Sequence, residues 1–300
     1  MSNFLKKLRY HFWPLWMIPL KFTFLWSDRS HLEYMYRKKM KKKIVLSRDN
    51  KNLLLYNEKI QWLKLYDRQP EYTDMSDKYN VRKYVSQTIG EEYLVPCYGV
   101  WDRFEDIAFD ALPNQFVLKC THDCGSILIC NDKMNFNLKK AEKHFRKRLS
   151  RNAFWRSRQW AYKDIKPRII AEKFLLDESG VELKDYKIFC FGGDPKIIQV
   201  DSDRYTSHKR DFYSVEWKLL PITTGFPSIP GGIEKPSCLE LMLELAKKLS
   251  AGKIHVRVDL YVINGNIYFG ELTFYHGSGF RKFDQPEWDR AFGDWMTLPI

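Results

Sequence analysis

The chain has 300 residues, enough for two or three modules with adequate cores. Its 44% hydrophobic and 29% charged residues mark a water-soluble globular protein, with an unusual aromatic load. The net charge of +13 is concentrated in residues 1–51, where 13 Lys/Arg stand against 3 Asp/Glu; the body is nearly neutral, which excludes a nucleic-acid binder with charge spread over its fold.

In chain order, the first 50 residues read as a basic, aromatic arm. The apolar run from Phe12 to Trp26 is too short to span a bilayer and is broken by Pro14, Pro19 and Lys21. No small-residue cleavage site follows it. Trp13, Trp16 and Trp26 suit a membrane interface, and the basic run Arg37–Lys43 suits an anionic lipid surface. The competing reading is a hydrophobic arm packed on the body or on another subunit.

Leu53–Tyr66 has helical spacing. A second helix is expected over "SDKYNVRKYVSQTIG", capped by Asp74 or Ser76 and closed by Gly90. Lys78 and Arg82 would share one face of it, either solvated or, for Lys78, turned to a phosphate. A strand "FVLKC" then carries Lys119 at its end, before the small loop "THDCGS". Backbone amides in such a loop, with a nearby lysine, can hold phosphate oxygens, although the spacing excludes a P-loop. Cys120, His122, Cys124 and Cys130 lack the paired spacing of a zinc site. The scattered cysteines read as structural thiols of a reducing cytoplasm.

Lys139–Arg151 reads as a basic helix and Arg168–Leu175 as a strand. "DYKIFCF" and "KIIQVD" form a hairpin about Gly192–Pro195, Thr206–Trp217 a polar loop, and Leu239–Leu249 an amphipathic helix. The run from His255 to Tyr275 alternates on both sides of Asn264-Gly265, a strong hairpin signal. Val256, Val258, Leu260 and Val262 form one set, to be matched by Gly270, Leu272 and Phe274. Phe269, Glu271 and Thr273 form the alternate set. A three-residue loop, Asn264–Asn266, places Asp259 opposite Glu271 and Arg257 opposite Thr273 with the apolar faces together. Two opposed carboxylates require a cation between them, or else full solvation on a polar sheet face. Mg²⁺ held by carboxylates and substrate phosphates would meet the first requirement.

The motifs "SDKYNVRKYV", "LPNQFVLKCTH", "KPRIIAEKFL", "DYKIFCFGG", "VRVDLY" and "FGELTF", in that order, resemble the TupA-like ATP-grasp family, named for teichuronopeptide biosynthesis. The resemblance runs from about residue 57 to the C-terminus. It implies an α+β, ATP-grasp fold with two α+β subdomains clasping ATP and a reduced N-terminal domain. The expected regions are the arm at 1–50, a helical segment at 51–115, the small subdomain at 116–180 and the C-terminal subdomain at 181–300. Carried over by position, Lys78 and Lys119 would contact phosphates, and His122, Gly125 and Ser126 would belong to a flexible phosphate loop. Glu172, Lys173, Phe174 and Leu175 would form the hinge that meets adenine. Asp185 would receive the ribose hydroxyls and Lys187 the phosphates. Asp259, Glu271 and Thr273 would hold Mg²⁺, and Arg257, with Lys187, would serve catalysis. Thr273 stands where many such enzymes have asparagine, and Cys124 where the loop would have serine.

The implied reaction is carboxylate activation: ATP gives an acyl phosphate and ADP, and an amine then displaces phosphate to form an amide. The implied partners are ATP, a uronic-acid-containing glycan or nucleotide sugar and a small amine. The arm would add an anionic surface on the inner face of a bacterial membrane. The rival readings are a phosphotransferase acting on a glycan hydroxyl and a non-catalytic adaptor of polysaccharide assembly.

Overall fold

The computed structural model describes residues 25–49, 53–178, 180, 183–203 and 207–299. The apolar run expected at the membrane interface lies outside these residues, except for its end at Leu25 and Trp26. No helix among the described residues is long and apolar enough to cross a membrane.

Helix α1, Asp28–Met40, starts where the Ser27 hydroxyl accepts the Ser30 amide at 3.1 Å. The basic residues Arg37–Lys39 fill its last turn, where the helix dipole favours them. Helix α2 covers Tyr56–Tyr66, α3 Glu71–Ser76 and α4 Val81–Thr88. The expected cap is therefore displaced. Asp74 and Ser76 lie inside α3, and Asp77 leads into α4 instead, accepting the amides of Tyr79 and Asn80 at 2.7 and 3.0 Å. Lys78 precedes α4, so its helical pairing with Arg82 does not arise. Strands β1 (Cys97–Trp101), β2 (Phe116–Cys120) and β3 (Leu128–Cys130) follow, then α5 (Leu138–Leu149), α6 (Ala153–Ser157) and β4 (Ile169–Lys173). The remainder holds β5 (Asp185–Phe191), β6 (Asp194–Ser202), β7 (Lys209–Ser214), β8 (Leu219–Leu220), α7 (Leu239–Ser250), β9 (His255–Ile263), β10 (Asn266–Thr273) and α8 (Pro286–Trp295).

The chain divides into two compact units, each built from three segments. One takes the described residues up to Leu46 with Asp67–Val81 and Pro96–Phe174; the other takes Ser47–Tyr66, Arg82–Val95 and the chain from Leu175. The segment 51–115, read from the sequence as one region, is thus shared between them.

In the first unit, four antiparallel strands run in the order β1-β4-β2-β3. The period of two sends Phe116, Leu118 and Cys120 of β2 to one face, where Ala141 and Phe145 of α5 cover them. Phe104 stacks on Phe145 at 6.0 Å to complete this core. Lys119 and Glu172 stand on the opposite face.

In the second unit, six antiparallel strands run β10-β9-β5-β6-β7-β8. Helix α7 packs on β9, β5 and β6 through Leu239, Met242, Leu245, Ala246 and Leu249, all buried. Each of these leucines and the methionine contributes about 1.5–3 kcal/mol. The stretch read as a polar loop contains β7, whose Arg210, Asp211, Phe212 and Tyr213 are buried because β6 pairs along it from Ser202 to Ile197. A polar run of this kind becomes a strand only when a neighbour supplies the ladder.

The β9–β10 hairpin keeps the expected pairs by a different route. Asn264 and Gly265, at φ 49° and 76°, form a two-residue turn, and Asn266 already pairs with Ile263. A bulge between Phe269 and Glu271 then adds one residue, Gly270. Asp259 lies opposite Glu271 and Arg257 opposite Thr273. Phe269 pairs with Leu260 and joins the apolar set with Ile267, not the polar set with Glu271. Gly270 suits the bulge, since a Cβ there would come within 3.0 Å of the Asp259 carbonyl oxygen.

Helices α2 and α8 cross closely at Gly293, where a Cβ would lie 2.2 Å from the Leu54 carbonyl oxygen. Gly293→Ala is expected to destabilise this unit by about 1–3 kcal/mol, read as a lowered urea midpoint at unchanged slope. An unchanged midpoint would mean that the crossing yields freely.

Candidate active site

In the second unit the sheet has one apolar face and one charged face. Alternate residues of five strands place Asp185 and Lys187 of β5, Gln199 and Asp201 of β6, and Arg210 of β7 on the charged face. Arg257 and Asp259 of β9, with Glu271 and Thr273 of β10, complete it. Lys187, Asp259 and Glu271 stand in one cross-strand row, since Lys187 pairs with Asp259 and Asp259 with Glu271. Most of these side chains are buried, Asp259 to 3% exposure, so their charges must answer one another.

Arg257 is the hub. Its Nε donates to Asp259 Oδ1 at 2.6 Å, and its Nη2 to Asp259 Oδ2 at 2.6 Å, Glu271 Oε1 at 3.1 Å and Thr273 Oγ1 at 3.1 Å. Nη1 donates to His276 Nδ1 at 2.7 Å. The cation required between the opposed carboxylates is thus present, and it is a guanidinium. Burial alone would lower its pKa, but Asp259 and Glu271 raise it above the ordinary arginine value. Burial pushes the Asp259 carboxyl up to about 7, against the pull of Arg257 and Lys187. His276 must accept from Arg257, and burial with the nearby guanidinium holds it neutral, well below the usual histidine range.

Lys187 bridges Asp185 and, at 2.9 Å, Asp201. Asp201 also accepts from Arg210 Nε at 2.6 Å and meets His208 at 3.1 Å. Although burial works in the other direction, Lys187 and Arg210 hold Asp201 well below the usual carboxylate range. Neither Asp201 nor Arg210 stood out in the sequence, because the pairing of β5, β6 and β7 alone sets them in line.

Helix α2 carries three side chains that fix the loop after β10. Asn57 donates to the Arg281 carbonyl at 2.8 Å, Gln61 to Gly279 at 2.8 Å, and the buried Lys64 to Ser278 at 2.7 Å. These bonds hold the His276–Gly279 turn and with it the partner of Arg257. The helical spacing of Leu53–Tyr66 marked this helix, but not its contact with a turn so distant in the sequence.

At the other end of the same face the charges give way to aromatics. His255 lies between Phe191, at 4.7 Å, and Tyr56, at 5.3 Å. Its Nδ1 donates to the Cys190 carbonyl at 2.9 Å, so Nε2 accepts from the Tyr56 hydroxyl at 2.9 Å. Burial, with a smaller push from Arg257, lowers its pKa to about 3. The unfolded chain takes up a proton near 6.5 that the folded chain refuses, so stability falls as pH drops from about 6.5 toward 3. His255→Gln is expected to make that loss shallower by about 1.4 kcal/mol per pH unit, measured by denaturation across the acid range. An unchanged slope would assign the acid sensitivity elsewhere.

In the first unit, Lys119 meets Glu172 at 2.5 Å on the face of the sheet turned away from α5. Lys78 Nζ donates to the Asp123 carbonyl. The loop predicted to be flexible is tied down at both ends. The Ser126 hydroxyl accepts the Cys120 amide at 2.8 Å, and the buried His122 lies 3.3 Å from the Arg148 carbonyl. His122 and Ser126 therefore support the loop from below, while Cys124 and Gly125 form its exposed tip. Arg148 of α5, unmarked in the sequence, holds that tip through Asp123 and the Cys124 carbonyl. Lys173 is exposed and its amide bonds Pro96 at 2.9 Å; the boundary between units falls between Phe174 and Leu175. All six cysteines are free thiols, and burial pushes Cys120 and Cys190 up to about 12.

No cluster of three or more His, Cys, Asp or Glu side chains among the described residues is placed to hold a metal. The donor set at Arg257 nevertheless fits Mg²⁺ in kind. Two carboxylates and a hydroxyl converge on one cationic nitrogen, and Mg²⁺ takes one or two carboxylates and completes its shell with phosphate and water.

The family described as TupA-like ATPgrasp matches residues 58–297. No curated protein matches the chain. Among solved structures it is similar to D-alanine–D-alanine ligase from Bacillus anthracis, with 16% identity, 73% of this chain and 59% of that one covered, and a TM-score of 0.39. L-amino acid ligase from Bacillus licheniformis gives 13%, 85%, 57% and 0.45 on the same measures. D-alanine–D-alanine ligase from Helicobacter pylori gives 14%, 81%, 69% and 0.42. The chain spans less than two thirds of the length of the two Bacillus ligases.

Proposed function

Since the chain belongs to the TupA-like ATP-grasp family, we propose that it is an ATP-dependent carboxylate–amine ligase. The acceptor is a uronic-acid carboxylate of a surface polysaccharide or its precursor, and the product is an amide with an amino acid or amino alcohol. The observation that carries this reading is the set built on Arg257: a buried guanidinium sharing three oxygen donors, Asp259, Glu271 and Thr273, beside Lys187. In the reaction an acceptor carboxylate oxygen takes the γ-phosphoryl group, releasing ADP. The amine nitrogen then attacks the acyl carbon, expels inorganic phosphate and loses a proton.

Each residue has a task in this scheme. Asp259, Glu271 and Thr273 would hold Mg²⁺, which when bound neutralises charge moving between phosphate oxygens. Arg257 would offer its N–H groups to the acceptor carboxylate and to the oxyanion that follows. His276 keeps the guanidinium in place through Nη1. Lys187, released from Asp185 and Asp201, would supply a compact charge to phosphate. In the first unit Lys119 and Lys78 would serve nucleotide phosphates, with the amides of the 122–126 loop.

Incubation with ATP, Mg²⁺ and a matrix of uronic acids and amines, with products read by mass, tests the reading. Amide formed only when acid and amine are both present supports it; phosphorylated sugar without amide would transfer the protein to phosphotransferases. The basic N-terminal region is assigned to an anionic membrane surface on the cytoplasmic side. Deleting residues 1–27 should weaken low-salt binding to anionic vesicles and leave turnover of soluble substrates unchanged. Full-length protein that ignores such vesicles would make the region structural.

A further inference from the structure

Beside the Arg257 set, the same sheet face carries a second group of cations that the scheme leaves without work. Arg210 spends Nε on Asp201 and Nη1 on Thr224, at 2.6 and 3.1 Å. The Arg281 guanidinium makes no hydrogen bond or ion pair among the described residues, and its Nε is buried. Both guanidinium carbons lie over one ring, Phe226, at 4.3 Å for Arg210 and 5.6 Å for Arg281. The His208 ring lies 4.2 Å from Phe226 on the half-buried rim.

This arrangement is held rigidly. The Arg210 amide bonds the Pro227 carbonyl at 2.9 Å, and Asp284 accepts the Gly225 amide at 3.2 Å. Phe226 is therefore a fixed support that brings two like charges to the same ring. Asp201, the carboxylate that bears on both arginines, is already shared by Lys187, Arg210 and His208. Burying part of an unanswered guanidinium next to another costs stability, and an anion of two negative charges would answer both. Arginine forks match phosphate oxygens in geometry as well as charge.

We propose that Arg210 and Arg281, supported by Phe226, form a second anion site that takes a phosphate group carried by the acceptor. This rests on the ligase reading for the identity of the acceptor, though the site itself is defined by binding. The acceptor then bears two anionic groups: a carboxylate for Arg257 and a phosphate for Arg281. Free uronic acids would be poor ligands and phosphorylated or nucleotide-linked ones good ligands.

The test is calorimetry on the full-length protein without nucleotide, titrating glucuronic acid, glucuronic acid 1-phosphate and UDP-glucuronic acid. The phosphorylated compounds are expected to bind about 10–100-fold more tightly than glucuronic acid, the range of one or two charge-assisted bonds. Arg281→Gln should erase that advantage while leaving glucuronic acid and ATP affinities unchanged, and Arg281→Lys should restore part of it. Either ranking of the two phosphorylated compounds supports the site and tells a nucleotide-linked phosphate from a simple sugar phosphate. Equal or undetectable binding of all three to wild type overturns the proposal. So does an equal loss of ATP affinity in Arg281→Gln, which would give the arginine to the nucleotide. Failure of the ligase reading would appear separately, as absent amide product with the binding difference intact.

Discussion

Asp259→Asn and Glu271→Gln are each expected to reduce ATP turnover by at least about 10²–10³-fold, as loss of a group that fixes charge in the transition state does. Both side chains aim an oxygen at the same Arg257 nitrogen, at 2.6 and 3.1 Å, and together they would hold Mg²⁺. An amide keeps the shape and loses the charge that binds a hard cation. The fold should survive. At Asp259 the amide keeps one acceptor oxygen for Arg257, and Glu271 and Thr273 still accept from the same guanidinium. Glu271 is more exposed, at 38% for its side chain, and its replacement should be milder still for stability. Steady-state ATP hydrolysis beside thermal unfolding decides the matter. Wild-type turnover in both variants would remove the pair from the metal site, and loss of folding in both would reassign the carboxylates to structure.

Arg257→Lys is expected to slow amide formation by about 10²–10³-fold while ATP binds almost normally. The substitution keeps the charge and loses the planar fork. In the structure that fork serves Asp259 through two parallel bonds of 2.6 Å and still reaches His276 at 2.7 Å, which one ammonium cannot do. A lysine would satisfy part of the carboxylate set and leave the acceptor carboxylate and the later oxyanion poorly held. Because those contacts form only with the acceptor, ATP affinity measured by calorimetry should stay near wild type. Equal losses in ATP affinity and amide formation would place Arg257 in nucleotide binding. A wild-type rate of amide formation would take it out of the site.

Local pattern was enough for much of this molecule. The alternation on either side of Asn264-Gly265, the Gly192-Gly193 turn and the leucine stripe of α7 are each properties of a short stretch, where period and turn chemistry act alone. The order of six motifs marked the family, and the opposition of Asp259 and Glu271 followed from matching apolar faces. Other features depended on neighbours distant in sequence. The bulge at Gly270 carried Phe269 to the apolar face, a choice made by contact with Leu260 and not by the residue's own surroundings in sequence. β7 became a strand because β6 lay beside it, and that pairing alone lined up Asp201 with Arg210. In the sequence, electrostatics asked either for full solvation of the two carboxylates or for a cation between them. That it is Arg257, two residues away on the same strand, was decided by burial, which leaves a guanidinium no water to turn to and makes it take every oxygen within reach.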